Sequence, residues 1–166
     1  MDDGGGIGLI AGIDHRTEDL RMSRPPPGRR ADYRWFHAIT TRWMDNDAFQ
    51  HVNNVNYFSF FDTAVTCFEM TEKVVGLLEG PTHCVVAEVA CRYHSSLAFP
   101  DRVAVGIRVA QIGRSSVRYE IGVFRDDDDL AAAEGHFVHV FVERGAQRRP
   151  VPIPDESRAI LGRIAV

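Results

Sequence analysis

The stretch TRWMDNDAFQHVNNVNYFSFFDTAVTCF, residues 41–68, decides how the rest of the chain is read. An aromatic and β-branched run ends at Trp43, and a short loop then carries Asp45, Asp47 and His51. Asn53 and Asn54 stand at the mouth of a long helix expected over residues 53–71. Asparagine suits that place, because its side-chain oxygen accepts from the unpaired N–H groups of a first helical turn. Phe58, Phe61, Val65 and Phe68 recur at helical spacing and share one face. A carboxylate and an imidazole therefore sit just ahead of a helix N-terminus, where backbone N–H groups and the helix dipole favour negative charge. Such a place can stabilise an oxyanion next to a general base.

Working outward, WFHAITTRW over residues 35–43 reads as a first strand. Gly80-Pro81 ends the helical region, which includes a second short helix expected through Leu77 and Leu78. Four strands follow, over residues 84–94, 102–112, 115–125 and 130–144. The first is expected to show Val85, Ala87, Val89, Cys91 and Tyr93 on one face. Val103, Val105, Ile107 and Val109 alternate in the second, and Val117, Tyr119, Ile121 and Val123 in the third. Gly113-Arg114 and the run of four aspartates at 126–129 supply the turns. PVPIP leads to a short helix over residues 156–164.

The order β–α–β–β–β–β belongs to the α+β class. A curved antiparallel sheet of about five strands must wrap one long central helix. Residues 34–150 form that domain, and residues 151–166 a tail with the short helix. Residues 1–33 are rich in Gly, Pro and Arg without an apolar period, and are expected to form a flexible extension. The last strand is apolar on both faces, with Phe137, His139 and Phe141 on one and Val138, Val140 and Val142 on the other. Whichever set faces away from the helix calls for cover, so a homodimer or homotetramer is expected.

Composition excludes several classes. The chain has 166 residues, 45% hydrophobic and 25% charged, and a formal net charge of −4. That balance speaks against a nucleic-acid partner. No apolar run approaches the ~20 residues that cross a bilayer, so no membrane partner is expected. The acidic, glycine-broken start does not read as a signal peptide. Cys67, Cys84 and Cys91 are odd in number and lack disulfide-like spacing, which fits reduced thiols in a cytoplasm. Cys91/His94 and His136/His139 are each three apart on strands and project to opposite faces, so no metal site is expected. The absence of a GxSxG elbow argues against a serine triad.

The segment RWMDNDAFQHVNNVNYFSFFDTA resembles the signature of hotdog-fold thioesterases of the 4-hydroxybenzoyl-CoA thioesterase-like family. The matching residues are Asp45, Asp47, His51, Val52, Asn53, Asn54 and Tyr57. The likeness continues through CRYHSSLAFPDRV, IGRSSVRYEIGVF and AEGHFVHVFVE. Gln50 departs from it, since the family usually has Gly before the His. The resemblance implies hydrolysis of an acyl-CoA to free acid and CoA, with no cofactor because CoA is part of the substrate. It assigns Asp47 as base or nucleophile and the Asn54 backbone N–H as the group that polarises the carbonyl. His51 would orient substrate or share the proton work. Tyr57, Phe58 and Phe61 would border the acyl tunnel, and Arg114, Ser115 and Ser116 would hold CoA phosphates. It further implies a site shared between two subunits. A non-catalytic acyl-CoA or acyl-carrier binding module would use the same cleft. A hotdog-type dehydratase is a third class, against which the HVNN run speaks.

Overall fold

Five strands, two α-helices and two single 3-10 turns occur among the residues described by the computed structural model, 25–76 and 79–166. Strands β1 (Trp35–Thr40), β2 (Thr82–Tyr93), β3 (Arg102–Ile112), β4 (Ser116–Arg125) and β5 (Ala133–Glu143) build one antiparallel sheet in the order β1-β3-β4-β5-β2. Helix α1 (Asn54–Thr71) is wrapped by that sheet, and helix α2 (Asp155–Gly162) lies against β3. This is the hotdog fold. Helix α1 starts one residue after the expected position because Asn53 is its cap, accepting from the Val55 N–H at 3.2 Å.

The phase of α1 is the expected one. Phe61, Val65 and Phe68 are fully buried, Tyr57, Phe60 and Ala64 join them, and Phe58 is half-buried at the margin. The helix sits so close to β5 that a Cβ on Gly135 would overlap the Phe61 ring, so glycine is required there by space. Phe61 and Phe137 meet edge-on with centroids 5.9 Å apart. The C-terminal segment completes this core. Ile153, Leu161 and Ile164 are buried, and Ser157 Oγ donates to the Val74 carbonyl at 2.6 Å.

Strand β2 departs from simple alternation. Val86 pairs with His139 but Glu88 pairs with Val138, so Ala87 forms a bulge and the faces exchange there. Cys84 packs on the core before the bulge, and Cys91 and Tyr93 after it. The expected single face from Val85 to Tyr93 is thus split. A second irregularity lies in β3 between Val109 and Gln111. On β5, Phe137, His139 and Phe141 face α1, leaving Val138 and Val140 outward beside Arg118, Glu120 and His136. His136 reaches Glu88 outside at 2.5 Å while His139 points inward, as their spacing requires.

Residues 72–76 form a turn after α1, and the second helix expected through Leu77 and Leu78 falls partly outside the described residues. Of the extension over residues 1–33, the first 24 also lie outside them. Its end packs on the outer face of the sheet. Arg30 N–H donates to the Asp129 carbonyl at 2.7 Å, and Tyr33 is buried against Phe124 and Ala131. The Tyr33 ring lies directly over two glycines. A Cβ on Gly122 would fall 2.5 Å from Tyr33 Cζ, and one on Gly106 would fall 2.8 Å from Tyr33 Cβ. Gly122→Ala must therefore displace that ring. The expected cost is about 1–3 kcal/mol of stability, the range for overpacking, read as a lowered midpoint in thermal melts.

Candidate active site

Asp45 and Asp47 are separated by one residue and do different work. Asp45 closes a 3-10 turn (Trp43–Asp45) and is 1% exposed. Its carboxylate accepts from the Arg42 N–H at 2.6 Å and from the Arg42 guanidinium at 3.0 and 2.6 Å. Burial pushes its pKa up, but the side-chain and backbone bonds from Arg42 and the guanidinium charge win and hold it below the usual carboxylate value. Its carbonyl accepts from the Asn53 N–H at 2.8 Å and from Asn56 Nδ2 at 2.7 Å. Asp45 is structural, joining the end of β1 to the mouth of α1.

Asp47 faces a concavity. Its N–H donates to the His51 carbonyl at 2.9 Å, and the Gln50 N–H donates back to the Asp47 carbonyl at 3.1 Å. Its Oδ1 accepts from the Phe49 N–H at 2.8 Å; Oδ2 has no hydrogen bond among the described residues. Gln50 adopts φ +64°, the left-handed conformation that glycine enters freely, so the loop keeps its shape despite the departure from Gly. A second loop braces it. Val52 N–H donates to the Leu97 carbonyl at 2.7 Å, and Asn46 Oδ1 accepts from the Phe99 N–H at 3.0 Å.

The concavity has a volume of about 300 Å³ and is lined by Asp47, His51, Val52, Asn54, Tyr57 and the segment Tyr93-His94-Ser95-Ser96. At the mouth of α1 the Val55 N–H is capped by the Asn53 side chain, and the Asn56 N–H by the Asn53 carbonyl. The Asn54 N–H has no acceptor among the described residues, leaving it available to a ligand. Tyr93 Oη donates to the Asn54 carbonyl at 3.3 Å. Burial, with Cys91 alongside, pushes the Tyr93 phenol up to about 12, and burial likewise raises Tyr57. Both remain protonated near neutrality. His51 is exposed, and its ring makes no hydrogen bond among the described residues.

The fold thus brings Asp47, His51, Asn54 and Tyr57 together. It does not bring the other expected residues to them. Phe61 is sealed in the core, and Phe58 lies at its edge. Arg114 and Ser115 occupy the β3–β4 turn and Ser116 begins β4, at the far end of the sheet. Ser116 registers with Val140 and Val85, whereas the concavity lies beyond Tyr93, which registers with Ala133 and Val123. Seven residues along β4 put roughly 23 Å between the two ends.

A family model for the thioesterase-like superfamily matches residues 41–161, which hold the loop, helix α1 and strands β2 to β5. The chain belongs to the thioesterase-like superfamily. The PA5185 protein of Pseudomonas aeruginosa is 44% identical, with 84% of this chain and 97% of that chain covered and a TM-score of 0.81. A thioesterase from Thermus thermophilus solved with coenzyme A and zinc is 30% identical, with 78% and 98% covered and a TM-score of 0.65. A search of curated proteins finds no match. This thioesterase-like chain is an enzyme, a thioester hydrolase.

Two arrangements of this thioesterase escape sequence spacing. His94, at the end of β2, joins the concavity and is bound to Glu134, forty positions away on β5. Glu69 is 3% exposed near the other end of α1, where Oε1 accepts from Tyr119 Oη at 3.0 Å and meets His139 Nδ1 at 2.9 Å. Glu69, Cys84 and His139 present donor atoms within 4.8 Å of one another, the set among the described residues with the makings of a metal site. It lies about 22 Å from Asn54 along the helix, remote from the concavity.

The Asp45 knot has a pH signature. A carboxyl held below its unfolded value contributes stability above that value, and loses it as pH falls through the folded one. Asp45→Asn should lower the melting midpoint at pH 7. Its deficit relative to wild type should shrink below roughly pH 4, the ordinary carboxyl range, in melts taken across that interval.

Proposed function

We propose that this thioesterase hydrolyses acyl-CoA to the free acid and CoA, with Asp47 as the base that takes a proton from the attacking water. The reading rests on one juxtaposition: Asn54, whose N–H has no acceptor among the described residues, and Asp47 line the same concavity. As the thioester carbonyl becomes tetrahedral its oxygen gains charge, and a helix N-terminal N–H stabilises it without reorganisation. Oδ1 of Asp47 is held by the Phe49 N–H, leaving Oδ2 for water. His51 borders the mouth and orients the substrate. The reaction draws on water and no cofactor. The Thermus thermophilus relative, solved with coenzyme A, supports CoA as the thiol portion.

The functional unit in this reading is a dimer joined along β2. That strand is an edge, residues 86–90 are exposed in succession, and Val86 and Val89 are 49% and 44% exposed. Trp43 and Phe49, beside the site, are 78% and 80% exposed. An unpaired apolar edge of this kind is a template for a second strand. Antiparallel pairing of two copies would turn the partner's Arg114 end toward this chain's concavity, where its guanidinium could meet a CoA phosphate.

Thiol release measured over a panel of acyl-CoAs tests the reaction. Asp47→Asn should lower kcat by at least ~10² with the fold intact, as loss of a general base does. Wild-type protein that binds CoA esters and releases no thiol would instead be a binding module. The dimer is tested separately. Val86→Lys with Val89→Lys should give a monomer by light scattering that has lost thiol release; a monomer with full activity would remove the shared site.

A further inference from the structure

We propose that His94 is a second catalytic group of this site, the acid that protonates the departing sulfur, and that Glu134 and Tyr33 position it. The inference rests on the hydrolase reading above and assigns a proton that reading leaves unassigned.

Among the described residues His94 is the histidine that both lines the Asp47 concavity and is held by a carboxylate. His51 lines it without a ring partner; His136 is held by Glu88 on the outer face, and His139 by Glu69 in the core. The His94 side chain is 9% exposed, and Nε2 lies 2.8 Å from Glu134 Oε2. Glu134 Oε1 accepts from Tyr33 Oη at 3.0 Å, and Tyr33 is fixed in turn over Gly106 and Gly122 with the Arg108 guanidinium 5.2 Å from its ring. The backbone is fixed as well, since the His94 and Ser95 N–H groups both donate to the Ala132 carbonyl, at 2.8 and 3.0 Å. With Nε2 engaged, Nδ1 has no hydrogen bond among the described residues and is the ring atom left for a ligand. In the imidazolium it is a donor.

The walls of the concavity assign the role. Asp47, His51 and Asn54 come from the loop and the start of α1, while Tyr93 to Ser96 come from the end of β2 and the residues that follow it, and both groups line the one concavity. A carbonyl oxygen on the Asn54 N–H, with water beside Asp47, leaves the sulfur toward the β2 wall. Water adds to the carbonyl carbon and its proton passes to Asp47. The C–S bond then breaks, its electron pair leaves on sulfur, and the Nδ1 proton of His94 goes to that sulfur. Asp47 returns its proton through solvent to His94, so acid and thiol are the net products of ester and water.

Leaving-group dependence separates this role from a structural one. A thiophenolate departs unaided, whereas an alkanethiolate gains more from an acid. The probes are the N-acetylcysteamine ester and the phenyl thioester of the acyl group that wild type turns over fastest. His94→Gln should lower kcat on the N-acetylcysteamine ester at least ~10-fold while changing KM and the phenyl ester's kcat less than about twofold. Glu134→Gln should show the same selectivity, and decides the matter if His94→Gln does not fold. Equal losses on both esters, or none, overturn the role of His94. Wild type that releases thiol from no acyl-CoA of the panel would overturn the hydrolase reading itself, and the acid role with it.

Discussion

A carboxylate buried away from water has to find partners inside the protein, and Asp45 shapes the site by finding them locally. Its oxygens take both backbone and guanidinium N–H groups of Arg42, three residues earlier. That turns the chain sharply after β1. Its carbonyl then takes the N–H of Asn53 and the amide of Asn56, anchoring the first turn of α1 to the same point. Two of the four orphan donors at the helix mouth are satisfied by Asn53, and the arrangement leaves Asn54 open. Charge burial, chain direction and the open Asn54 N–H follow from this one residue.

Around this knot the sheet supplies position. Gly135 lets α1 approach β5 until Phe61 touches the strand, and Gly106 and Gly122 let Tyr33 lie flat on the opposite face. Close approach from both sides clamps the centre of the sheet between aromatic rings. The ends of the strands are then free to carry loops, and the concavity forms where the end of β2 meets the mouth of α1. Rigid strands presenting a loop-built site is the usual division of labour between scaffold and function.

Much of this was legible in the chain. Helical spacing placed Phe61, Val65 and Phe68 inward, and the pair Asn53 and Asn54 marked the helix mouth, because these are contacts within a few residues. The exchange of faces in β2 was not, since a bulge at Ala87 obeys pairing with β5 rather than any local preference. Tyr33 was hidden by its Pro- and Gly-rich flank, although its two glycine seats lie in strands where glycine is otherwise unfavourable. The His94–Glu134 pair joins residues forty apart, and periodicity carries no information at that range. Spacing likewise placed Arg114 in a turn without showing at which end of the sheet that turn would lie.

The left-handed backbone at Gln50 has a bearing on binding entropy. Reciprocal bonds between Asp47, Gln50 and His51 close a tight ring, and a side chain at φ +64° restricts it to fewer alternative basins than glycine would. Holding an L-residue there costs roughly 1–2 kcal/mol, which the bracing contacts to Leu97 and Phe99 must offset in the folded state. The freedom that a glycine-containing loop surrenders when a ligand arrives has in this chain been surrendered during folding. A ligand entering the concavity beside Asp47 would therefore meet a loop already ordered, and less of the contact energy would be consumed in arranging it.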